Sequence, residues 1–348
     1  MTVRVARTPR TAVQTQDEET RVTAVVGEGS FTYQVDPTWE QLPAGWSHPD
    51  VASIAVDDQD RVFVFNRGEH PVIIYDRNGT FLDAWGEGEF SNAHGIAIAP
   101  DGTAYCGDKE AHAVKRFTPD GRLLEVLGTP GVPSDTGVVD DFLTIKQGGP
   151  PFNGPTDIDF GPTGDVYVSD GYWNARVHCF ASNGRLRFSW GQPGTGKGEF
   201  NIPHALAVAA DGRVLVADRE NDRIQIFSPE GVYLDEWTDL TRPDDLTIGP
   251  DGHVYVVELG RYVGRWPSTP PDTPDSPPSR LSVFDLEGNL LARWGTRAAC
   301  APASFFAPHG IAVDSRGDIY VGEANWSGGG KDGDVPPDCH TLQKFVRR

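Results

Sequence analysis

Three of the nine histidines stand in one sequence setting: His94 in SNAHGIAI, His204 in NIPHALAV and His309 in FAPHGIAV. Each sits at the start of a short apolar run. A neutral imidazole is the commonest protein ligand for a divalent metal, and three protein ligands that leave a fourth position open are the donor set of catalytic zinc. Zinc comes first for such a set, with copper, iron and cobalt behind it. A single histidine at the head of a strand would more simply cap that strand. Three in one setting require a scaffold that brings them together. His48, His70, His112, His178, His253 and His340 share no such setting and read as surface or packing residues.

The scaffold is written in a repeat. An apolar strand, a turn with Gly or Asp and a second apolar strand recur as SIAVDDQDRVFVF, GIAIAPDGTAYCG, DIDFGPTGDVYVS, ALAVAADGRVLVA, DLTIGPDGHVYVV and GIAVDSRGDIYVG. Aligning the copies places Ala52, His94, Thr156, His204, Asp244 and His309 at one equivalent position. Most copies continue into a hairpin, as in YDRNGTFLDAWG and FASNGRLRFSWG, where Asn-Gly, Asp-Gly and Glu-Gly pairs suit turns of positive φ. A unit of about 40 residues with four short strands is one propeller blade. The fold class is therefore all-β, a six-bladed β-propeller. The histidines fall in blades 2, 4 and 6, just before the strand that lines the channel, so they converge on the axis at one mouth.

The sixth copy stops at TLQKFVRR, after its third strand. FTYQVDPTWEQ near the N-terminus supplies the missing outer strand and closes the ring, which removes two exposed sheet edges. Residues 1–25 have no apolar core of a signal peptide and read as a disordered leader; residues 26–348 read as one propeller domain. Segments 129–152 and 265–280 are insertions, the second Pro-rich and extended over the surface.

Fifty acidic against thirty basic residues give a net charge of −20, which argues against nucleic acid as a partner. No stretch approaches the run of about 20 apolar residues needed to span a membrane. The four cysteines show no CxxC spacing; Cys300 and Cys339, both in late loops, could pair. The default compartment is the cytoplasm, and the expected partner is a small-molecule substrate.

Beyond the repeat, VYVSDGYWNARV (166–177) and IPHALAVAADGRVLVADRENDRIQIF (202–227), with weaker matches in VFVFNRGEH (62–70) and DKEAHAVKRF (108–117), make the chain resemble the peptidyl-α-hydroxyglycine α-amidating lyase family from about residue 47 onward. These lyases are propellers built of NHL repeats. The resemblance implies zinc on His94, His204 and His309, a catalytic Tyr at Tyr172 and an active-site Arg at Arg67. It also implies a structural calcium on the backbone carbonyls of Ile54 and Ile96, but Gly310 stands where that site's carboxylate is expected. Trp173, Leu215 and Ile226 replace the family's disulfide cysteines, in keeping with a reducing compartment. Asp108, Asp170 and Asp218, which recur after the second strand of their blades, read as turn-fixing residues. The implied reaction splits a carbinolamide, N–CH(OH)–COO⁻, into an amide and glyoxylate, with Tyr172 as phenolate base, Arg67 as carboxylate anchor and zinc as Lewis acid. Hydrolysis of a lactone or amide by metal-bound water on the same site, and a non-catalytic interaction scaffold, are the alternatives.

Overall fold

In a computed structural model the described residues are 24–139, 142–263 and 269–348, and they form six antiparallel sheets set in a ring. The inner strands are Val51–Val56, Ala93–Ile98, Pro155–Phe160, Pro203–Val208, Pro243–Ile248 and Pro308–Val313. Each pairs with a second strand: Val62–Asn66, Ala104–Asp108, Val166–Asp170, Val214–Asp218, Val254–Glu258 and Ile319–Glu323. All six second strands are buried throughout, because each blade is covered on both faces by its neighbours. That is why they read as near-continuous apolar runs rather than alternating ones. Between blades 1 and 2, for example, Phe63, Phe65 and Ile74 pack against Ile96, Cys106 and Phe117.

The outer hairpins lock blade to blade. Gly121, Gly231 and Gly288 sit at φ of +83°, +80° and +85°, each against the indole of Trp85, Trp190 or Trp237 on the preceding blade. A Cβ at these positions would lie 2.5, 2.7 and 2.5 Å from the ring, so both the turn and the packing require glycine.

Closure follows the expected route. Phe31–Asp36 pairs antiparallel with Leu342–Arg347 as the outer neighbour of the sixth blade's third strand. A further strand, Val25–Glu28, which the sequence did not reveal, lies outside it and gives this sheet five strands. The seam is tied by Arg77 of blade 1, whose guanidinium lies 2.7 Å from Asp314 and 2.9 Å from Asp318 of blade 6. Residues 1–23 of the expected leader and 264–268 of the Pro-rich insertion lie outside the described residues.

Cys300 and Cys339 form a disulfide, while Cys106 and Cys179 are buried and free. Disulfides persist in oxidising compartments, so cysteine chemistry no longer supports a reducing one. No helix among the described residues is long and apolar enough to cross a membrane.

Candidate metal centre

Every inner strand carries a break in its pairing register at the second residue. That residue is Ala52, His94, Thr156, His204, Asp244 or His309, the position common to all six repeats. A bulge re-aims a side chain and takes its residue out of the ladder. Here it turns three imidazoles onto the axis, with ring centroids 4.8, 4.8 and 4.9 Å apart.

The three positions without histidine hold the rings in place. Nδ1 of His94 donates to the carbonyl of Thr156, that of His204 to Asp244 and that of His309 to Ala52, all at 2.7 Å. Each histidine thus leans on the equivalent residue of the next blade. With Nδ1 bound to a carbonyl, the proton sits there and Nε2 keeps its lone pair toward the axis, the arrangement that a metal-binding histidine needs. Nε2 of His94 is buried without any hydrogen-bond partner, and the ligand atoms of the three lie within 4.8 Å of one another. Burial drives all three well below the ordinary histidine range, helped by Arg67 at His309, by His309 and Arg67 at His94, and by Arg219 at His204. They are neutral at pH 7, as metal ligation demands. The donor set fits a divalent metal such as zinc.

The loops that aim residues at this mouth are fixed by carboxylates. Asp108, Asp170, Asp218, Glu258 and Glu323 end the second strands of blades 2 to 6, all fully buried. They accept from the backbone N–H of Ser91, Asn153, Asn201, Thr241 and Phe306, each three residues before the axial position. The turn-fixing reading of the three aspartates thus holds in detail. Among the histidines read as packing residues, His178 joins this network: it is fully buried between Ser189 and Asp170.

Beyond the second strands stand the polar groups of the mouth. Tyr172 directs its hydroxyl to Nε2 of His204 at 2.9 Å, and its ring lies 5.3 Å from His94 and 5.5 Å from His204. Arg67 reaches the same mouth from blade 1. Its Nε donates to the carbonyl of Ala93 at 3.1 Å, and its Nη1 donates to Ser327 at 2.9 Å and pairs with Asp50 at 3.4 Å.

Two cations were missed in the sequence. Arg219 is buried, with Nη1 3.5 Å from the Tyr172 hydroxyl and 3.0 Å from Asp244, and Nε 3.0 Å from Glu220. Burial opposes its charge, but Tyr172, Asp244 and Glu220 outweigh that and hold its pKa above the usual range. Lys109 places Nζ 4.5 Å from the centre of the Tyr172 ring, and burial together with Arg67 brings it down to about 8. A signal existed. Arg67, Lys109 and Arg219 each follow the terminal residue of a second strand, and each donates its backbone N–H to the residue two before the axial position, at 3.0 Å.

Below the histidines the channel opens into a cavity of about 220 Å³ that Ile54 and Ile96 line together with Asp157, Asp159 and Asp245. At Gly310 a Cβ would fall 2.7 Å from Ser53 Cα, so no carboxylate side chain can enter from that position. The channel's own carboxylates clasp blades instead: Asp157 accepts from the Leu206 N–H and Asp245 from the Ile311 N–H. Burial pushes Asp157 up to about 7 and Asp159 up to about 6. Among the described residues the three histidines alone form a group of His, Cys, Asp or Glu close enough to share an ion.

Fold and site together define a six-bladed propeller with a three-histidine centre at one mouth. The NHL repeat model matches residues 152–180 and 200–227. The mouse NHL repeat-containing protein 3 is 31% identical over 290 residues, covering 78% of this chain and 75% of that protein. Peptidyl-alpha-hydroxyglycine alpha-amidating lyase 1 of Drosophila melanogaster is 29% identical over 269 residues, covering 69% of this chain and 44% of the lyase. Among solved structures a streptogramin B lyase superposes with a TM-score of 0.55 over 87% of this chain and 96% of that one, at 14% identity, a likeness of fold alone. The chain belongs to the NHL-repeat family, and its homologues include the amidating lyases.

Proposed function

We propose that the protein is a zinc-dependent carbon–nitrogen lyase acting on a small carbinolamide, N–CH(OH)–COO⁻, to give an amide and glyoxylate. Its lyase-named relatives support a lyase-type function on a small-molecule substrate. The observation that carries the reading is the Tyr172 hydroxyl, 2.9 Å from Nε2 of a candidate metal ligand and flanked by Arg219 and Lys109.

His94, His204 and His309 would hold the zinc, and when bound it supplies a Lewis acid and positive charge for the substrate oxygens. Tyr172 as phenolate takes the proton of the substrate hydroxyl. The C=O bond of glyoxylate forms, the C–N bond breaks, and the departing nitrogen keeps the electron pair and accepts a proton to become the amide. Arg67 pairs with the substrate carboxylate through its planar fork. Arg219, held by Asp244 and Glu220, stabilises negative charge on the phenol oxygen, and its buried ion pairs keep it from turning away. Calcium at Ile54 and Ile96 would lack its carboxylate and has no part in this function.

The test is metal analysis of the purified protein followed by an assay of α-hydroxyhippurate for benzamide and glyoxylate. Zinc and turnover together support the reading. Protein that stays free of metal and inert after zinc loading would turn it toward an interaction scaffold.

A further inference from the structure

The described parts of the insertion, 129–139 and 142–152, fold back over the loop that carries Tyr172. Thr136 Oγ1 donates to the carbonyl of Trp173 at 2.6 Å, and the Gly149 N–H donates to Asn174 Oδ1 at 3.1 Å. Where insertion and loop meet opens a cleft of about 400 Å³, lined by Pro133, Val138 and Val139 of the insertion, by Trp173 of the loop, and by Glu110 and His112. We propose that this cleft is the subsite for the acyl side of the substrate and that it takes a bulky, uncharged, apolar acyl group. The inference rests on the lyase reading and deepens it.

Three observations lead there. The cleft and the reaction centre share a wall, since the Trp173 ring is 6.2 Å from that of Tyr172, and Lys109 Nζ spans both rings at 4.5 and 5.4 Å. A carbinolamide has two ends, and the cations of the mouth claim the carboxylate end, so the acyl end must leave on the side where apolar surface waits. Val139, which lines the cleft, is 73% exposed, an apolar side chain whose burial a ligand would reward. A cleft of this volume matches pockets for ligands well above the size of an acetyl group. Glu110, half-exposed beside Lys109, sets a negative charge on the rim that disfavours a second carboxylate in the acyl part.

The experiment is calorimetry on the full zinc-loaded chain with two unreactive ligands that share a carboxylate, hippurate and N-acetylglycine. Hippurate is expected to bind about tenfold more tightly or better, the scale on which an apolar pocket discriminates. Trp173→Ala and Val139→Asp should each bring the two ligands to within about twofold. Val139 is too exposed for its substitution to disturb the core, so this variant stays informative if Trp173→Ala fails to fold. Equal affinities in the parent, or an undiminished preference in Val139→Asp, would overturn the proposal. A preference that holds and falls as expected while α-hydroxyhippurate is never turned over keeps the cleft and removes the lyase reading; turnover without preference does the reverse.

Discussion

The Tyr172 hydroxyl donates to Nε2 of His204, the nitrogen that must be free for a metal, and the Nδ1 of the same ring donates to the Asp244 carbonyl. A metal that takes this lone pair would replace the hydrogen bond, and the hydroxyl stands within reach of the same ligand atom. Tyr172→Phe keeps the three histidines and is expected to keep its zinc while kcat falls about 100-fold, the scale of losing a general base. Arg67→Ala should raise KM as well as lower kcat/KM, because a carboxylate anchor acts in ground-state binding too. Steady-state kinetics with zinc quantified in each preparation decides both. Parent-like rates in Tyr172→Phe, with labelled solvent oxygen entering the product, would indicate attack by water instead.

Zinc content should be one per chain and should vanish in His94→Ala, His204→Ala or His309→Ala, read by elemental analysis after dialysis. All three imidazoles titrate in the folded state well below their unfolded value, because burial disfavours the charged ring. The unfolded chain therefore takes up protons first, and the stability these groups contribute is present above about pH 6.5 and lost as pH falls below it. Thermal unfolding between pH 7.5 and 5 should show a drop in midpoint accompanied by release of zinc. Retention of metal at pH 5 with an unchanged midpoint would contradict the site.

Lys109 stands beside Tyr172 with its ammonium brought down to about 8. Its charge is present below that pH and lost above it, whereas Arg67 and Arg219 stay charged. KM for a carboxylate substrate should rise as pH passes through about 8. Lys109→Arg should flatten that limb while leaving zinc content unchanged. A limb that persists unaltered in Lys109→Arg belongs to another group.

The sixth blade borrows Phe31–Asp36 from the other end of the chain. Removing residues 1–43 deletes this strand and Trp39, which packs on Tyr75 and Tyr320 across the seam at 5.4 and 5.1 Å. An open ring with an exposed edge at Leu342–Arg347 should aggregate. Removing residues 1–23 should leave the unfolding midpoint within a few degrees of the parent. Equal stability of the two truncations would show that closure does not depend on this strand.

The sequence by itself determined the ring and the three-fold set of histidines. A propeller repeats one backbone path, so residues in one repeat register must occupy equivalent places about one axis; His94, His204 and His309 needed only the alignment to be grouped. The same logic exposed the missing strand, since a sixth blade ending at TLQKFVRR leaves an edge that FTYQV can cover. What the periodicity could not carry was the direction of side chains beyond the strands. Lys109 and Arg219 sit in the register of Arg67, but Leu259 and Ala324 share it too, and only the folded loops show which of these meet at Tyr172. Likewise Ala52, Thr156 and Asp244 were blanks in the pattern until the bulges gave their carbonyls to the imidazoles. Backbone carbonyls leave no trace in residue identity, and contacts made by an insertion such as 129–152 follow no period; both are settled only when neighbouring blades pack.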